Sequence, residues 1–468
     1  MGEFFRQIIR TRLGLIGAVL TTASGFLVVA FFVLSLAGIE QAPYLGVLAY
    51  LLLPAVFALG LLFIPLGMWW ERRRLRRTGS QQPLPILDLN ERSIRGRLRT
   101  FAFLSAANVI ILAGASWKGV EVMDRPAFCG SCHKVMDPEF TVYSRSPHSR
   151  VACVQCHIGP GASWFVRSKL SGAWQVVSVT FNLYPRPIPT PVRNLRPSRD
   201  TCEQCHWPTK FVGDRLEVIT HFADDEKSTP KKTVLLLHVG GGEMGHGIHH
   251  HVSQGVSIRY LSDAKRERIQ VVELTRPDGS VQRFEAKPDA KNPAPEPSLL
   301  AWRTMDCVDC HNRPTHQYRA AEDEVDAALA DGRIDRTLPF AKKQALAALT
   351  APYSSREAAL EGIRAALAGF YEKQYPEVWA SKQEAVLAAS RELAAAWGRN
   401  VWPGMRITWG TYPTLLGHKQ TAGCWRCHDE NHATADGKTI SQDCDTCHAT
   451  LAEEEESPAI LKQLGLGP

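Results

Sequence analysis

Three long stretches near the start of the chain, 13–39, 41–70 and 100–117, hold no charged side chain. At about 1.5 Å per helical residue, each can cross or nearly cross a hydrocarbon core of about 30 Å. The pattern predicts three transmembrane helices. Buried helices of a soluble protein are the alternative. A cleaved signal peptide is disfavoured, because a second long apolar run follows the first at once. Further on, 163–183 carries only Arg167 and Lys169 as charges, and Trp164, Phe165, Leu170, Trp174, Val177 and Phe181 fall roughly on one helical face. This reads as a helix lying against a membrane surface, with an ordinary core helix as the alternative. A proline-rich linker follows over 184–197. Alternating or β-branched runs at 233–239, 256–261, 268–276 and 281–286, with Pro277-Asp278-Gly279-Ser280 as a turn, predict strands. A second proline-rich linker, 287–297, precedes an alanine-rich helical stretch over 320–398.

Charge gives the apolar spans a direction. Arg6, Arg10 and Arg12 precede the first span, and nine arginines, among them Arg72, Arg73, Arg74, Arg92 and Arg99, lie between the second and third. The loop between the first two carries only Glu40. Arginine-rich flanks stay in the cytoplasm. The N-terminus and the 71–99 loop are therefore expected inside, and everything after about residue 118 outside. Residues 1–99 hold 12 basic and 5 acidic side chains, a net of +7, which is the whole chain's formal charge; the remaining 369 residues balance at 42 against 42. The basic residues thus form a topology signal rather than a nucleic-acid surface.

The twelve cysteines change the picture most. All of them fall in six copies of Cys-x-x-Cys-His. The copies are Cys129, Cys132 and His133; Cys153, Cys156 and His157; Cys202, Cys205 and His206; Cys307, Cys310 and His311; Cys424, Cys427 and His428; and Cys444, Cys447 and His448. This is the attachment pattern of c-type haem. Two thiols form thioethers with the vinyl groups, and the adjacent histidine meets one face of the iron. A redox pair or half a zinc site explains a single CxxC, but not a histidine after it six times over. Six covalently bound haem c groups are expected.

Each iron has a second axial position. Ten histidines lie outside the motifs, enough for bis-histidine ligation throughout. His148, His221, His316, His418 and His432 are candidates, and one of His249 and His251 is expected to turn inward. His316 follows His311 by five residues and His432 follows His428 by four, so each is expected to serve a neighbouring haem. The glycine-rich 240–251 stretch also admits a surface metal site. Met136, three residues after His133, is the other soft candidate, with core filler as its ordinary reading.

The run from Cys129 to Met136, then Ser146-Pro147-His148 and the motif at Cys153, resembles the NapC/NirT/NrfH family of membrane-anchored quinol dehydrogenases. So does the Cys307–His316 stretch, where the family has a second histidine five residues after the fourth motif. The resemblance spans about 100–320. The three apolar spans and the block from His418 through His432 to His448 look like the larger inner-membrane cytochromes of the ImcH type. The resemblance implies distal ligation by His148 and His316, a first-haem methionine at Met136, and a quinol-site lysine at Lys169. The family often has a carboxylate one or two helical turns beyond that lysine. Here no Asp or Glu lies between Cys156 and Asp200. Asp137 and Glu139 are therefore the candidate proton acceptors.

The chain thus reads as a membrane-anchored multihaem cytochrome c: three N-terminal transmembrane helices, then an extracytoplasmic haem domain of mixed helix and loop with a small β-rich insert. The expected segments are 1–118 (anchor), 119–212 (haems 1–3), 213–300 (β-rich insert), 301–320 (haem 4), 321–400 (helical scaffold) and 401–468 (C-terminal dihaem segment). The expected activity is oxidation of quinol, menaquinol first, at the periplasmic face of the cytoplasmic membrane, with a periplasmic cytochrome or reductase as acceptor and no nucleic-acid partner. An electron-transfer module without a quinol site and a terminal reductase are the alternatives.

Overall fold

The computed structural model describes residues 11–36, 52–77, 90–131, 133–159, 162–192, 196–240, 247–287 and 295–466. The chain divides into two units, Met1–Cys132 and His133–Pro468.

The first unit contains helices α1 (Arg12–Leu36), α2 (Leu53–Arg77) and α3 (Arg92–Asp124). Small residues let α1 and α2 approach closely. A Cβ on Gly60 would lie 2.5 Å from Thr21 Oγ1, and one on Gly17 would lie 2.7 Å from the Gly60 carbonyl. One on Gly25 would strike Phe57 at 2.8 Å. Close backbone contact of this kind is how helices associate where lipid removes the hydrophobic drive. Three crossing helices are expected from the sequence. Among the described residues one, over Leu53–Arg74, is long and apolar enough to cross a membrane. The described apolar run of α1 is shorter, Ile16–Ala30. The uncharged middle of α3 is diluted by residues such as Asn108 and Gly114. The Leu53–Arg74 run is only 17% buried.

The second unit opens with helix α4 (His133–Ser144) and, after a helical turn at Cys153–His157, helix α5 (Ala162–Thr180). Leu170, Trp174, Val177 and Phe181 of the predicted apolar face are exposed. Phe165 and Lys169 lie on this helix by their backbone, but their side chains fall outside the described set.

Two antiparallel sheets follow. Strands β1 (Asp214–Phe222) and β2 (Pro230–His238) form one, and β3 (Ser257–Ser262), β4 (Ile269–Thr275), β5 (Val281–Ala286) and β6 (Ala301–Thr304) belong to the other. Val256, Ile258, Tyr260, Ile269, Val272 and Phe284 bury one face of the larger sheet. The C-terminal residues complete both. Short β7 (His432–Ala433) pairs with β5, and β8 (His448–Glu455) pairs with β2, giving the orders β1-β2-β8 and β6-β3-β4-β5-β7. The acidic residues Glu453, Glu454 and Glu455 thus lie on an edge strand.

Between these parts lies a helical scaffold: α6 (Ala321–Ala330), α7 (Ala341–Thr350), α8 (Arg356–Gln374) and α9 (Pro376–Asn400). Ser355 caps α8 by accepting from the Ala358 amide at 3.1 Å, and Pro376 starts α9 where its missing N–H costs nothing. Val325, Leu349, Ile363 and Val386 are fully buried in its core.

Candidate haem sites

The motif segments are local turns. Cys153–His157 is a single helical turn, Ser198–Cys202 is another that ends at the first cysteine of the third motif, and Cys307–Asp309 and Cys444–Thr446 are 3-10 turns. Asp306 and Asp309 cap the fourth motif: the Cys307 amide donates to Asp306 Oδ1 at 2.6 Å and the Asp306 amide to Asp309 Oδ2 at 2.6 Å. Asp309 is buried and also accepts from Tyr260 Oη (2.6 Å), Arg303 Nε (2.7 Å) and Arg266 Nη1 (3.0 Å).

The structure brings five motif histidines face to face with five others. Ring centres are 5.9 Å apart for His148 and His206, 6.1 Å for His157 and His316, and 6.4 Å for His249 and His311. They are 5.8 Å apart for His251 and His428, and 6.3 Å for His418 and His448. A metal–imidazole bond is about 2 Å and the ring centre lies about 1.1 Å further on, so two imidazoles on opposite sides of one iron have centres about 6.2 Å apart. Every pair joins one motif histidine to one non-motif histidine, and no ring is used twice.

The hydrogen bonds fit the same reading. His316 Nδ1 lies 3.1 Å from the Glu139 carbonyl, His249 Nδ1 3.2 Å from that of Val239, His251 Nδ1 2.6 Å from that of Ile248 and His428 Nδ1 2.8 Å from that of Ser441. A carbonyl only accepts, so Nδ1 carries the hydrogen and Nε2 keeps its lone pair for a metal. Burial pushes the pKa of His157, His249, His311 and His316 down, and that of His251 down to about 4, which keeps these rings neutral. Among the described residues the buried Nδ1 atoms of His148 and His448 have no hydrogen-bond partner. A cavity of about 750 Å³ is lined by Gly213, Ile248, His251, His428 and Cys447 among others, within the usual size of a cofactor site. The residues therefore fit haem.

Other candidates go elsewhere. His432 is buried, with Nδ1 2.9 Å from Asp429 Oδ1 and Nε2 3.1 Å from the Ile269 carbonyl. Both ring nitrogens are thus engaged by protein acceptors. His221 Nε2 meets Glu454 at 2.9 Å. Neither is brought to a motif histidine ring among the described residues. Both His249 and His251 turn to motif rings, where one was expected. Met136 is half-buried on α4, and the side chains of Cys132 and His133 lie outside the described residues.

Glu139 is held by Arg313 through two 2.9 Å hydrogen bonds, and its carboxylate also lies 3.1 Å from His316 Nδ1. Asp137 accepts from Trp402 Nε1 at 2.8 Å and has Arg356 at 3.7 Å, with its side chain half exposed. Sequence reasoning missed two aromatic partners. Trp425 stacks on His418 at 4.1 Å and 8°, and Phe211 on His249 at 4.5 Å and 30°. Trp425 sits inside the fifth motif, which marks its position but not its role.

Turns that attach haem, with histidines paired across an iron's width, define a multihaem c-type cytochrome. Residues 93–185 match the NapC/NirT cytochrome c family, N-terminal region. The chain is also 40% identical over 455 residues to the cytochrome c-type protein ImcH of Geobacter sulfurreducens, covering 95% of this chain and 89% of that one. No solved structure matches. The chain belongs to the NapC/NirT cytochrome c family, with ImcH as a relative over most of its length, and carries covalently bound haem c.

Proposed function

We propose that the chain is a hexahaem cytochrome of the cytoplasmic membrane that oxidises quinol at the periplasmic face and passes the electrons to a periplasmic cytochrome or reductase. The five histidine pairs carry the reading. Each pair would hold one haem iron between its rings: His157 with His316, His206 with His148, His311 with His249, His428 with His251, and His448 with His418. Cys129, Cys132 and His133 hold the sixth haem, with Met136 as its second ligand. When bound, haem supplies one-electron chemistry, and the chain supplies ligands, orientation and polarity.

The first motif begins only five residues after α3 ends, which keeps it at the membrane surface. The exposed apolar face of α5, with Trp174 and Val177, supports a helix lying in the interface. In this reading all three N-terminal helices lie in the membrane, and the arginines put the N-terminus and the 71–99 loop in the cytoplasm. The reaction is QH2 → Q + 2e⁻ + 2H⁺. Lys169 binds the quinol oxygen and stabilises the anion left by the first proton. Glu139, already engaged by Arg313, positions His316. The half-exposed Asp137 is the better proton acceptor.

Quinol oxidation by purified protein in detergent, with haem reduction followed optically, tests this reading. Lys169→Ala should slow reduction by quinol roughly ten- to a hundredfold, with dithionite reduction and haem content unchanged. A parent that fails to oxidise quinol favours the second reading, a membrane-anchored electron-transfer module. The engagement of Glu139 and the lack of carboxylates over 157–199 would then be its explanation.

A further inference from the structure

We infer that the single 3-10 turn Ile248–Val252 is a shared ligand strap, in which His249 and His251 complete the haem centres of two different motifs, Cys307–His311 and Cys424–His428, and so tie them into one unit. The inference rests on the axial-ligand reading above and goes beyond it. The two motifs begin 117 residues apart, with the helical scaffold between them. Nothing in the sequence makes them neighbours.

The turn is built to hold two ligands in two directions. A 3-10 helix advances about 120° per residue, so residues two apart point about 120° away from each other. His249 lies parallel to His311 at 6°, and His251 lies across His428 at 83°. Both Nδ1 atoms are fixed by backbone carbonyls, of Val239 on the chain after β2 and of Ile248 in the turn itself. Gly247 enters the turn at φ +84°, and a Cβ there would lie 2.7 Å from the His238 carbonyl, so a larger residue would displace the whole turn. At the far end Arg199 Nη2 donates to the Val252 carbonyl at 2.6 Å.

The motif loops are joined to each other as well. Arg426, inside the fifth motif, donates from Nη2 to the Asp309 carbonyl inside the fourth at 2.6 Å, and from Nη1 to the Arg266 carbonyl at 2.7 Å. The two centres are thus linked through both their proximal loops and their distal ligands. Moving the strap must move both distal ligands together.

The ring angles give each centre its own signature. Parallel imidazole planes give a rhombic low-spin EPR signal, and crossed planes give a strongly anisotropic one. The 6° pair is the most parallel of the five and the 83° pair the most crossed. In the full-length oxidised protein, His249→Ala should abolish the most rhombic signal and His251→Ala the most anisotropic one. Each should convert one haem to high spin, and the double variant two. One glycine inserted between His250 and His251 should perturb both signals together. The thioether-bound haem content should stay at the parent value in every variant, and His221→Ala should leave all signals intact. His251→Met, which keeps a ligand, should restore low spin at that centre without its crossed-plane signature. Loss of the same signal in both single variants, or an insertion that disturbs only one centre, overturns the strap. A parent without bis-histidine low-spin signals overturns the axial-ligand reading itself.

Discussion

The helical scaffold and the haem-bearing segment before the sheets are held together by different means. Over 321–401 the chain encloses its own apolar core, from Val325 and Leu349 to Ile363, Val386, Leu393 and Trp397. Over 133–210 the buried hydrophobic residues, among those described, are Val135, Val142 and Tyr143. Outside helices α4 and α5 that segment is turns, motif loops and polar ties, such as Tyr143 Oη reaching the Ser149 and Val151 carbonyls at 2.9 Å around the loop that carries His148. A chain must bury apolar surface to offset the entropy of ordering. The scaffold does so with side chains. The haem segment has few among its described residues, and bound haem would add apolar surface for it to bury.

The largest expected effect follows from that contrast. Protein made without haem attachment should lose order over 133–210 and keep it over 321–400. Limited proteolysis should cut the first region at many sites and spare the second. Equal resistance in both would mean that the haem segment folds without its cofactor.

The scaffold can be broken in the converse way. Lys342, in α7, is buried against Asp326 of α6. Asp326→Ala leaves the buried ammonium with only the Glu322 carboxylate at 3.8 Å and the Glu322 carbonyl at 3.5 Å, a loss of up to about 3–5 kcal/mol. Denaturant unfolding followed by far-UV circular dichroism should read it. The low-spin haem signals should be unchanged under native conditions, because none of the paired histidines touches this contact.

The attachment sites are local, and they are legible in the sequence for that reason: two thiols and a histidine within five residues define each. The distal ligands are tertiary, and spacing serves them unevenly. His316 follows the fourth motif but faces His157 of the second. His148 precedes the second motif but faces His206 of the third. Spacing nominates His432 as well, yet Asp429 three residues earlier and the Ile269 carbonyl on β4 occupy both its nitrogens. His249 and His251 read as alternating positions with one turned inward. The 3-10 turn gives each its own direction. The strands at 230–286 follow from their alternation. The pairing of β7 and β8 with them does not, because it depends on where the last two motifs dock.

A smaller effect separates His316 from His432. His316→Ala should remove one low-spin signal, that of the second motif's centre. His432→Gln should remove none and cost about 1–3 kcal/mol through the hydrogen bonds lost to Asp429 and Ile269. A low-spin signal lost in His432→Gln would return that residue to the ligand set.

The smallest expected effect lies where a motif side chain steadies a neighbour's ligand. Trp425 belongs to the fifth motif, yet its ring lies flat on His418, which faces His448 of the sixth. One face of the indole is covered and the residue is 42% exposed, so little core packing is at stake. An aromatic stack of this kind is worth about 0.5–1.5 kcal/mol beyond its buried area. Its consequence should be orientation more than stability. Without the indole, His418 can rotate about its own bond to the metal while remaining bound. Trp425→Ala should therefore keep the number of low-spin centres and the haem content, but broaden or shift the signal of the pair set at 30°. Trp425→Phe, which keeps a flat face, should restore it. If alanine and phenylalanine both leave that signal unmoved, the stack has no part in fixing the ligand plane, and His418 is held by its own loop.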